Sequence, residues 1–548
     1  MDIISKLNGN LFEKLVIAGA LNLKANIEEV NNLNVFPIPD GDTGDNMFLT
    51  ISGGIESLKN ENNNSLGMKA EALASGMMLS ARGNSGVILS QLFNGLAMGL
   101  KDVDEADLNS LCDAFRQSVK QAYSAVVKPV EGTILTVARE GIEYACASDS
   151  ESINDFMKKC CEEMQLSLDR TPELLDTLKE AGVIDSGGAG LLYIVEGMNS
   201  VLEGKDVEGN LNINESKQSV DFSKFNEQSV MEYGYCTEFL LQLQNCKVNP
   251  LEFDEKVIIE YLETIGDSIV CYKTGTVVKV HVHTLMPYKA LEFSQKFGEF
   301  LTVKIENMTL QHSEVQEKEK KNKKRATRKK YSTVVVATGS GLIDTFSEMG
   351  VDYVIDGGQG KNPSTKDFLE AFEYVNSDNI FVLPNNSNII LTASEAKDLY
   401  NGSNIYIINT KNFGEAYSCL SVLDYGVDDC DEIVNMLCEA KDNVVTGMIT
   451  KAVRDSNINS VEIHEGDYIG FSDKTMYTSN VSKIDAYFDM IDKLDVTSKA
   501  FIINVYGSNM TDEEKEEIES ILQSKYPLIE FYTIDGGQDV YDIIVILE

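Results

Sequence analysis

The sequence predicts a multidomain protein: an all-α N-terminal domain, a small α+β middle domain and a C-terminal α/β domain. Three observations carry this. The 548 residues exceed what one hydrophobic core usually supports. Apolar periodicity changes along the chain, from helical spacing, through a strand-rich stretch, to short β-branched runs between helices. With 43% hydrophobic and 24% charged residues, there is enough apolar content to build separate cores.

Residues 1–203 read as helices, with Phe12, Leu15, Val16 and Gly19, then Ala72, Leu73, Gly76, Met77 and Leu79, at helical spacing. Residues 204–228 lose that period and turn Asn-, Ser- and Glu-rich, the composition of a linker. The middle domain, 229–313, is strand-dominated, including Thr276–Thr284, with helices near Glu252–Leu262 and Tyr288–Phe297. Residues 314–331 crowd lysine and arginine, Lys318 to Lys330, into an otherwise acidic chain. A solvated linker is the plain expectation. The sharper alternative is an electrostatic contact with an acidic partner, a nucleotide or the protein's own acidic domains. In 332–548, Thr333–Ala337, Asp352–Ile355, Ile380–Leu383 and Ile405–Ile408 alternate with helical stretches, as in a parallel α/β sheet. Gly-Gly-Gln recurs there, at Gly357–Gln359 and Gly536–Gln538.

Lys+Arg 47 against Asp+Glu 87 gives a net charge of −40, which excludes a surface that embraces nucleic acid or anionic membrane broadly. No apolar run approaches the roughly 18–20 residues that span a bilayer. Leu15–Leu23 is expected to be an amphipathic helix rather than a signal core, because Asp2 and Glu13 occupy what would be a cationic leader. Ten scattered cysteines then predict reduced thiols in a cytoplasmic protein. A complete P-loop, a Rossmann fingerprint and a G-x-S-x-G elbow are all absent, so nucleotide chemistry needs a less common scaffold.

Three glycine-rich loops between the N-terminal helices supply one. Pro39-Asp40-Gly41-Asp42-Thr43-Gly44-Asp45-Asn46 gathers carboxylates that repel unless a hard cation such as Mg²⁺ neutralises them; solvated Asp-Gly turns are the common alternative. Ala81-Arg82-Gly83-Asn84-Ser85-Gly86 precedes an apolar helix expected from near Val87, and backbone N–H groups there can cradle phosphate. Asp185-Ser186-Gly187-Gly188-Ala189-Gly190 lets backbone approach a ligand closely. In the middle domain, a period of two puts His281 and His283 on one strand face, suited to two ligands of one ion, and Cys236 can add a thiolate. Packed histidines are the commoner outcome of such a pair.

Residues 1–203 resemble the ATP-binding, L-type domain of the dihydroxyacetone kinase superfamily, through Asn34–Gly44, Ser80–Gly86, Glu131–Leu135 and Asp185–Gly188. The whole chain resembles the catalytic (A) chains of the fatty acid kinases, through Tyr235–Phe239, His281–Thr284, Gly357–Gln359, Asn362–Ser364, Leu383–Asn386 and Gly536–Gln538. The resemblance implies an antiparallel helical barrel that binds ATP through paired Mg²⁺ ions. It also implies phosphorylation of a fatty acid carboxylate, presented by a separate DegV-like carrier, to give acyl-phosphate and ADP. Asp40, Asp42 and Arg82 become the catalytic candidates, with Asp40 and Asp42 as metal ligands and Asn34 or Asp45 joining the shell. Thr43, Asn46, Gly83, Asn84, Ser85 and Gly86 are expected around the phosphates. Thr133, Asp185, Gly187 and Gly188 are expected to contact the nucleotide or support its pocket. Arg82 would stabilise the transferring charge or, alternatively, anchor its loop. Cys236, His281 and His283 become zinc (Zn²⁺) ligands, and the C-terminal domain becomes the part that engages the carrier.

A fatty carboxylate is already ionised at neutral pH, so its attack needs alignment and charge screening rather than a general base. The absence of histidine before His281 fits that acceptor. Two other functions are compatible with the residues: a dihydroxyacetone (glycerone) kinase acting on a small hydroxyl substrate, and a non-catalytic nucleotide sensor. A homodimer is also compatible. The acidity outside 318–330 suits a carrier with a basic face, bound more weakly as salt rises.

Overall fold

The computed structural model describes residues 3–34, 41–126, 128–205, 235–250, 252–274, 276–307, 327–494, 496 and 499–548. They fall into two compact units, one built from Met1–Ile213 with Arg325–Glu548 and the other from Asn214–Lys324.

The N-terminal part of the first unit is helical, with two short strands. Its elements are β1 (Leu7–Asn8), α1 (Gly9–Ala25), α2 (Ile27–Asn32), α3 (Thr43–Asn60), α4 (Leu66–Ser80), α5 (Gly83–Gly99), β2 (Glu105–Ala106), α6 (Leu108–Ser124), α7 (Ile134–Ala147), α8 (Ile153–Leu174), α9 (Asp176–Ala181) and α10 (Ser186–Leu202). The 3.6-residue period buries Phe12, Leu15, Val16, Ala20 and Leu23 along one side of α1. Small residues set how closely helices cross. A Cβ on Gly19 of α1 would lie 2.7 Å from the Ile194 carbonyl, and one on Gly197 of α10 would lie 2.5 Å from that of Ala18. Lys69, 4% exposed, is tolerated because its ammonium donates to Glu13 at 2.8 Å and to the Leu58 and Glu61 carbonyls at the C-terminal end of α3. That one cation ties α1, α3 and α4 together.

The C-terminal part of the same unit carries two large sheets and a small two-stranded one. Its first half is β7 (Lys329–Ala337), α13 (Ser340–Glu348), β8 (Tyr353–Asp356), α14 (Thr365–Val375), β9 (Ser377–Leu383), α15 (Ser387–Leu399), β10 (Asn404–Ile407), α16 (Phe413–Val422) and α17 (Cys430–Asn443). The four strands form a wholly parallel sheet in the order β10-β9-β7-β8. Then follow β11 (Val445–Lys451), β12 (Ser456–Ile458), β13 (Val461–Ile463), β14 (Tyr468–Ser472), β15 (Thr475–Asn480), α18 (Lys483–Ile491), β16 (Phe501–Tyr506), α19 (Asp512–Lys525), β17 (Glu530–Asp535) and β18 (Ile543–Leu547). Six of these strands make a mixed sheet, β15-β14-β11-β18-β16-β17, parallel only between β16 and β17. Successive side chains of β7 point to opposite faces. Val334 and Val336 therefore pack with Phe368 and Phe372, while Val335 and Ala337 join Phe346, Phe413, Met448 and Ile546 in a core shared with the second sheet. Gly357–Gln359 of the first Gly-Gly-Gln turn and Gln538 of the second line one cleft between the sheets, with Asn385, Asn386 and Phe413.

The first strand here begins at Lys329, earlier than the Thr333 start expected from β-branching. Lys329 reaches the buried Asp352 at 2.7 Å, Lys330 pairs with Asp428, and Arg328 bonds Asp378 at 2.6 Å. The end of the basic run thus belongs to the folded domain and meets its own acidic residues.

The second unit holds β3 (Tyr235–Leu243), α11 (Lys256–Leu262), β4 (Gly266–Thr274), β5 (Val277–Thr284), α12 (Pro287–Ser294) and β6 (Gly298–Asn307). Its antiparallel sheet runs β4-β5-β3-β6, with Phe239, Leu241, Val278, Val280 and Val282 packed against Ile258, Leu262 and Ala290. Among the described residues the cysteines are free, and no helix is long and apolar enough to cross a membrane.

Candidate active site

The glycine-rich segments are helix beginnings. Helix α3 starts at Thr43 after Asp42, α5 at Gly83 after Arg82, α7 at Ile134 after Thr133, and α10 at Ser186 after Asp185. The helix expected from near Val87 therefore starts four residues earlier, because Gly83 takes φ +58° and lets the chain turn straight into it. The four starts adjoin one another. Ser186 Oγ donates to Thr43 Oγ1 at 3.3 Å. A Cβ on Gly187 would lie 3.3 Å from Ile134 Cβ, and one on Gly83 would lie 2.9 Å from Asn46 Nδ2. First-turn N–H groups lack intrahelical acceptors and carry the positive end of the helix dipole. Four such ends side by side make a place where phosphate groups are stabilised.

Acidic side chains border the same place. Asp42 is half-buried before α3, and its Oδ2 accepts from Asn362 Nδ2 at 2.9 Å. Asp45 is exposed in the first turn and accepts from Asn31 Nδ2 at 2.8 Å, while Asn31 Oδ1 accepts from the Gly44 N–H at 2.7 Å. Asn34 is half-buried, and its N–H bonds the Asn31 carbonyl. Asp40 lies outside the described residues. Carboxylates placed beside a bound phosphate would need an intervening cation, and an all-oxygen donor set suits Mg²⁺.

Around α5, Arg82 Nη1 donates to the Asn362 carbonyl at 2.7 Å and stands 4.0 Å from Asp367. The Arg82 N–H bonds Thr50 Oγ1 at 3.3 Å, and a Cβ on Gly86 would meet that same oxygen at 2.5 Å. Asn84 donates to Asn388 at 3.3 Å, and Ser85 is half-buried in the first turn.

Asp185 caps α10, accepting from the Gly188 N–H at 2.7 Å. Burial pushes its pKa up to about 6, opposed by the Gly188 and Ile134 N–H groups. Thr133 Oγ1 is turned onto the Val130 carbonyl at 2.8 Å. Behind it, Glu131 accepts from Thr136 at 2.6 Å and Arg139 at 3.0 Å. Burial would raise the Glu131 carboxyl, but those donors hold it below its usual value. This network fixes the Glu131–Leu135 turn from the protein side.

In the second unit, register pairs Cys236 with His283 and Glu238 with His281. The side chains of Cys236, His281 and His283 lie outside the described residues, and among those described no cluster of three or more His, Cys, Asp or Glu could hold a metal ion.

Sequence reasoning missed what the C-terminal domain brings. The Asn362 amide, the Thr365 N–H on the Ala81 carbonyl (3.2 Å), Glu395 against Gln91 (3.0 Å) and Arg454 on the Asn32 carbonyl (3.2 Å) all reach the N-terminal helices. The nearest signal was the Asn362–Ser364 segment, whose Ser364 forms a capping box with Asp367; that predicts a helix start and says nothing of a partner 320 residues away.

Comparison with known proteins matches residues 37–200 to the DAK2 domain. Residues 232–315 match the middle domain, and 332–548 the C-terminal domain, of the FakA-like fatty acid kinase family. Protein YloV of Bacillus subtilis is 37% identical over 557 residues, and an uncharacterised protein of Staphylococcus epidermidis is 35% identical over 556, each covering 100% of both chains. Among solved structures, a DegV lipid binding protein from Thermotoga maritima is 14% identical, covering 40% of this chain and 98% of that one, with a TM-score of 0.31. Matched along its length in this way, the chain belongs to the FakA-like fatty acid kinase family, with a DAK2 domain that points to a kinase.

Proposed function

We propose that this chain is the Mg-ATP-dependent component that phosphorylates the carboxylate of a fatty acid presented by a separate lipid-binding carrier, giving acyl-phosphate and ADP. The observation that carries the proposal is the meeting of four helix N-termini beside Asp42, in a chain of a fatty acid kinase family. Asp42, with Asp40 and either Asn34 or Asp45, would hold the metal, which supplies charge screening for the transferring phosphoryl group. Thr43, Asn46, Ser85 and the N–H groups of α5 and α10 would grip the phosphates, and Asp185 would keep the start of α10 in place. The helices are proposed to close as a barrel around this end. No histidine precedes His281 in the sequence, which a carboxylate acceptor tolerates because it brings no proton to remove. The Cys236–His283 register supports a zinc ion held with His281, with a structural role. A cytoplasmic location suits the free thiols.

An ATP-consumption assay tests the reading in three arms: the chain alone, with a fatty-acid-loaded binding protein, and with dihydroxyacetone. ADP and a hydroxylamine-reactive acyl-phosphate should form only with the loaded carrier. Turnover of dihydroxyacetone without carrier would replace the proposal with a small-hydroxyl kinase, and ATP binding without turnover in any arm would replace it with a nucleotide sensor.

A further inference from the structure

The segment after β8 leaves the C-terminal sheet and enters the N-terminal site. Its path is fixed at both ends. Gly358 and Lys361 exchange backbone hydrogen bonds at 3.1 Å across a tight turn in which Gly360 takes φ +74°. Three residues on, Ser364 caps α14 and pairs with Arg82 as an isolated antiparallel bridge, while the Thr365 N–H bonds the Ala81 carbonyl. Between these anchors Asn362 is 2% exposed. Its carbonyl accepts from Arg82, its Nδ2 donates to Asp42 Oδ2 at 2.9 Å, and that same nitrogen stands 3.2 Å from where a Cβ on Gly83 would be. Asn362 Oδ1 is buried without a hydrogen-bond partner among the described residues. A buried amide oxygen costs free energy unless something completes it. The nitrogen of the same amide lies against the Asp42 carboxylate and beside Gly83, the glycine that opens α5.

We propose that Asn362 is a positioning residue for the metal–phosphate site, supplied by the C-terminal domain. Its amide N–H holds Asp42 Oδ2 in place, and its Oδ1 is the acceptor that a metal-bound water or the cation itself satisfies. The N-terminal helices alone therefore form an incomplete site. The inference rests on the reading of Asp42 as a metal ligand.

The test uses the whole chain with Mg²⁺ and ADP as probes. It measures ADP binding by calorimetry across a Mg²⁺ titration, together with the melting temperature with and without Mg²⁺. Asn362→Ala should raise the Mg²⁺ concentration for half-maximal ADP binding about tenfold or more, as loss of an outer-shell partner does. Asn362→Asp keeps the shape but turns a carboxylate onto Asp42. It should lower the metal-free melting temperature and recover more of it on adding Mg²⁺ than the wild type gains. Asp42→Ala should remove the Mg²⁺ dependence altogether. If Asp42→Ala behaves so while both Asn362 variants follow the wild-type titrations, the positioning role is overturned. If Asp42→Ala itself leaves the Mg²⁺ dependence intact, the metal assignment falls instead, and the two failures are distinct. If Asn362→Ala does not fold, the Mg²⁺ response of Asn362→Asp decides alone.

Discussion

Gln91 on α5 donates its side-chain amide to Glu395 on α15 at 3.0 Å, across 304 residues of chain. Glu395 is 8% exposed, and its second oxygen has no hydrogen-bond partner among the described residues. Gln91 is held in turn by Gln121 and Asn94 at 2.9 and 3.2 Å. The junction between kinase-type helices and the C-terminal domain thus contains an acid with one partner where its ionised form has room for several.

That acid makes stability depend on pH. Burial raises the Glu395 pKa to about 7 from 4.5, Asp398 adds to the rise, and the Gln91 hydrogen bond opposes it. A carboxyl raised on folding stabilises the protein fully below its unfolded pKa, and that contribution is lost as pH rises through the folded value. The loss amounts to something on the order of 3 kcal/mol between about pH 4.5 and 8. Glu395→Gln keeps an acceptor for Gln91 and cannot ionise. Urea unfolding should find it equal to wild type at pH 5 and more stable at pH 8. Parallel curves at both pH values would show that the carboxyl is not raised.

Gly83 and Gly182 separate backbone strain from close approach. Both have positive φ, +58° and +65°, but a Cβ on Gly182 meets nothing within 4 Å, whereas one on Gly83 meets Asn46 and Asn362. Gly182→Ala should cost about 1 kcal/mol and leave ADP binding unchanged. Gly83→Ala should cost more and weaken ADP binding at least tenfold, because it displaces the side chains packed at the start of α5. Equal effects of the two substitutions on ADP binding would count against a ligand at that helix start.

For the second unit, the test of zinc is metal content. Wild type should carry one zinc per chain, and Cys236→Ser or His283→Ala should lose most of it together with melting temperature. Unchanged stoichiometry in both variants would remove the site.

Much of the fold was legible locally. Periodicity in α1 and α4 and β-branching in β8, β9 and β10 mark elements placed chiefly by which apolar side chains they bury. Boundaries were less so: α5 starts at Gly83 because a positive φ opens it, and β7 starts at Lys329 because acidic residues from distant turns hold its lysines. Of the candidate site, the glycine loops, Asp42, Asn46 and Asp185 could be named from spacing, since each expresses a local need for a turn, a cap or a charge.

Local pattern was enough to read the three kinds of domain, the acidic composition and the residues proposed to meet Mg²⁺ and phosphate. It is packing that brings four helix starts to one place and lets Asn362 and Glu395 reach the N-terminal helices from the C-terminal domain. The physical reason is range. Propensity, capping and turn chemistry act over a few residues and leave a pattern in the chain. A buried amide that bonds a carboxylate 320 positions away leaves none, because its partner is chosen by how whole domains pack.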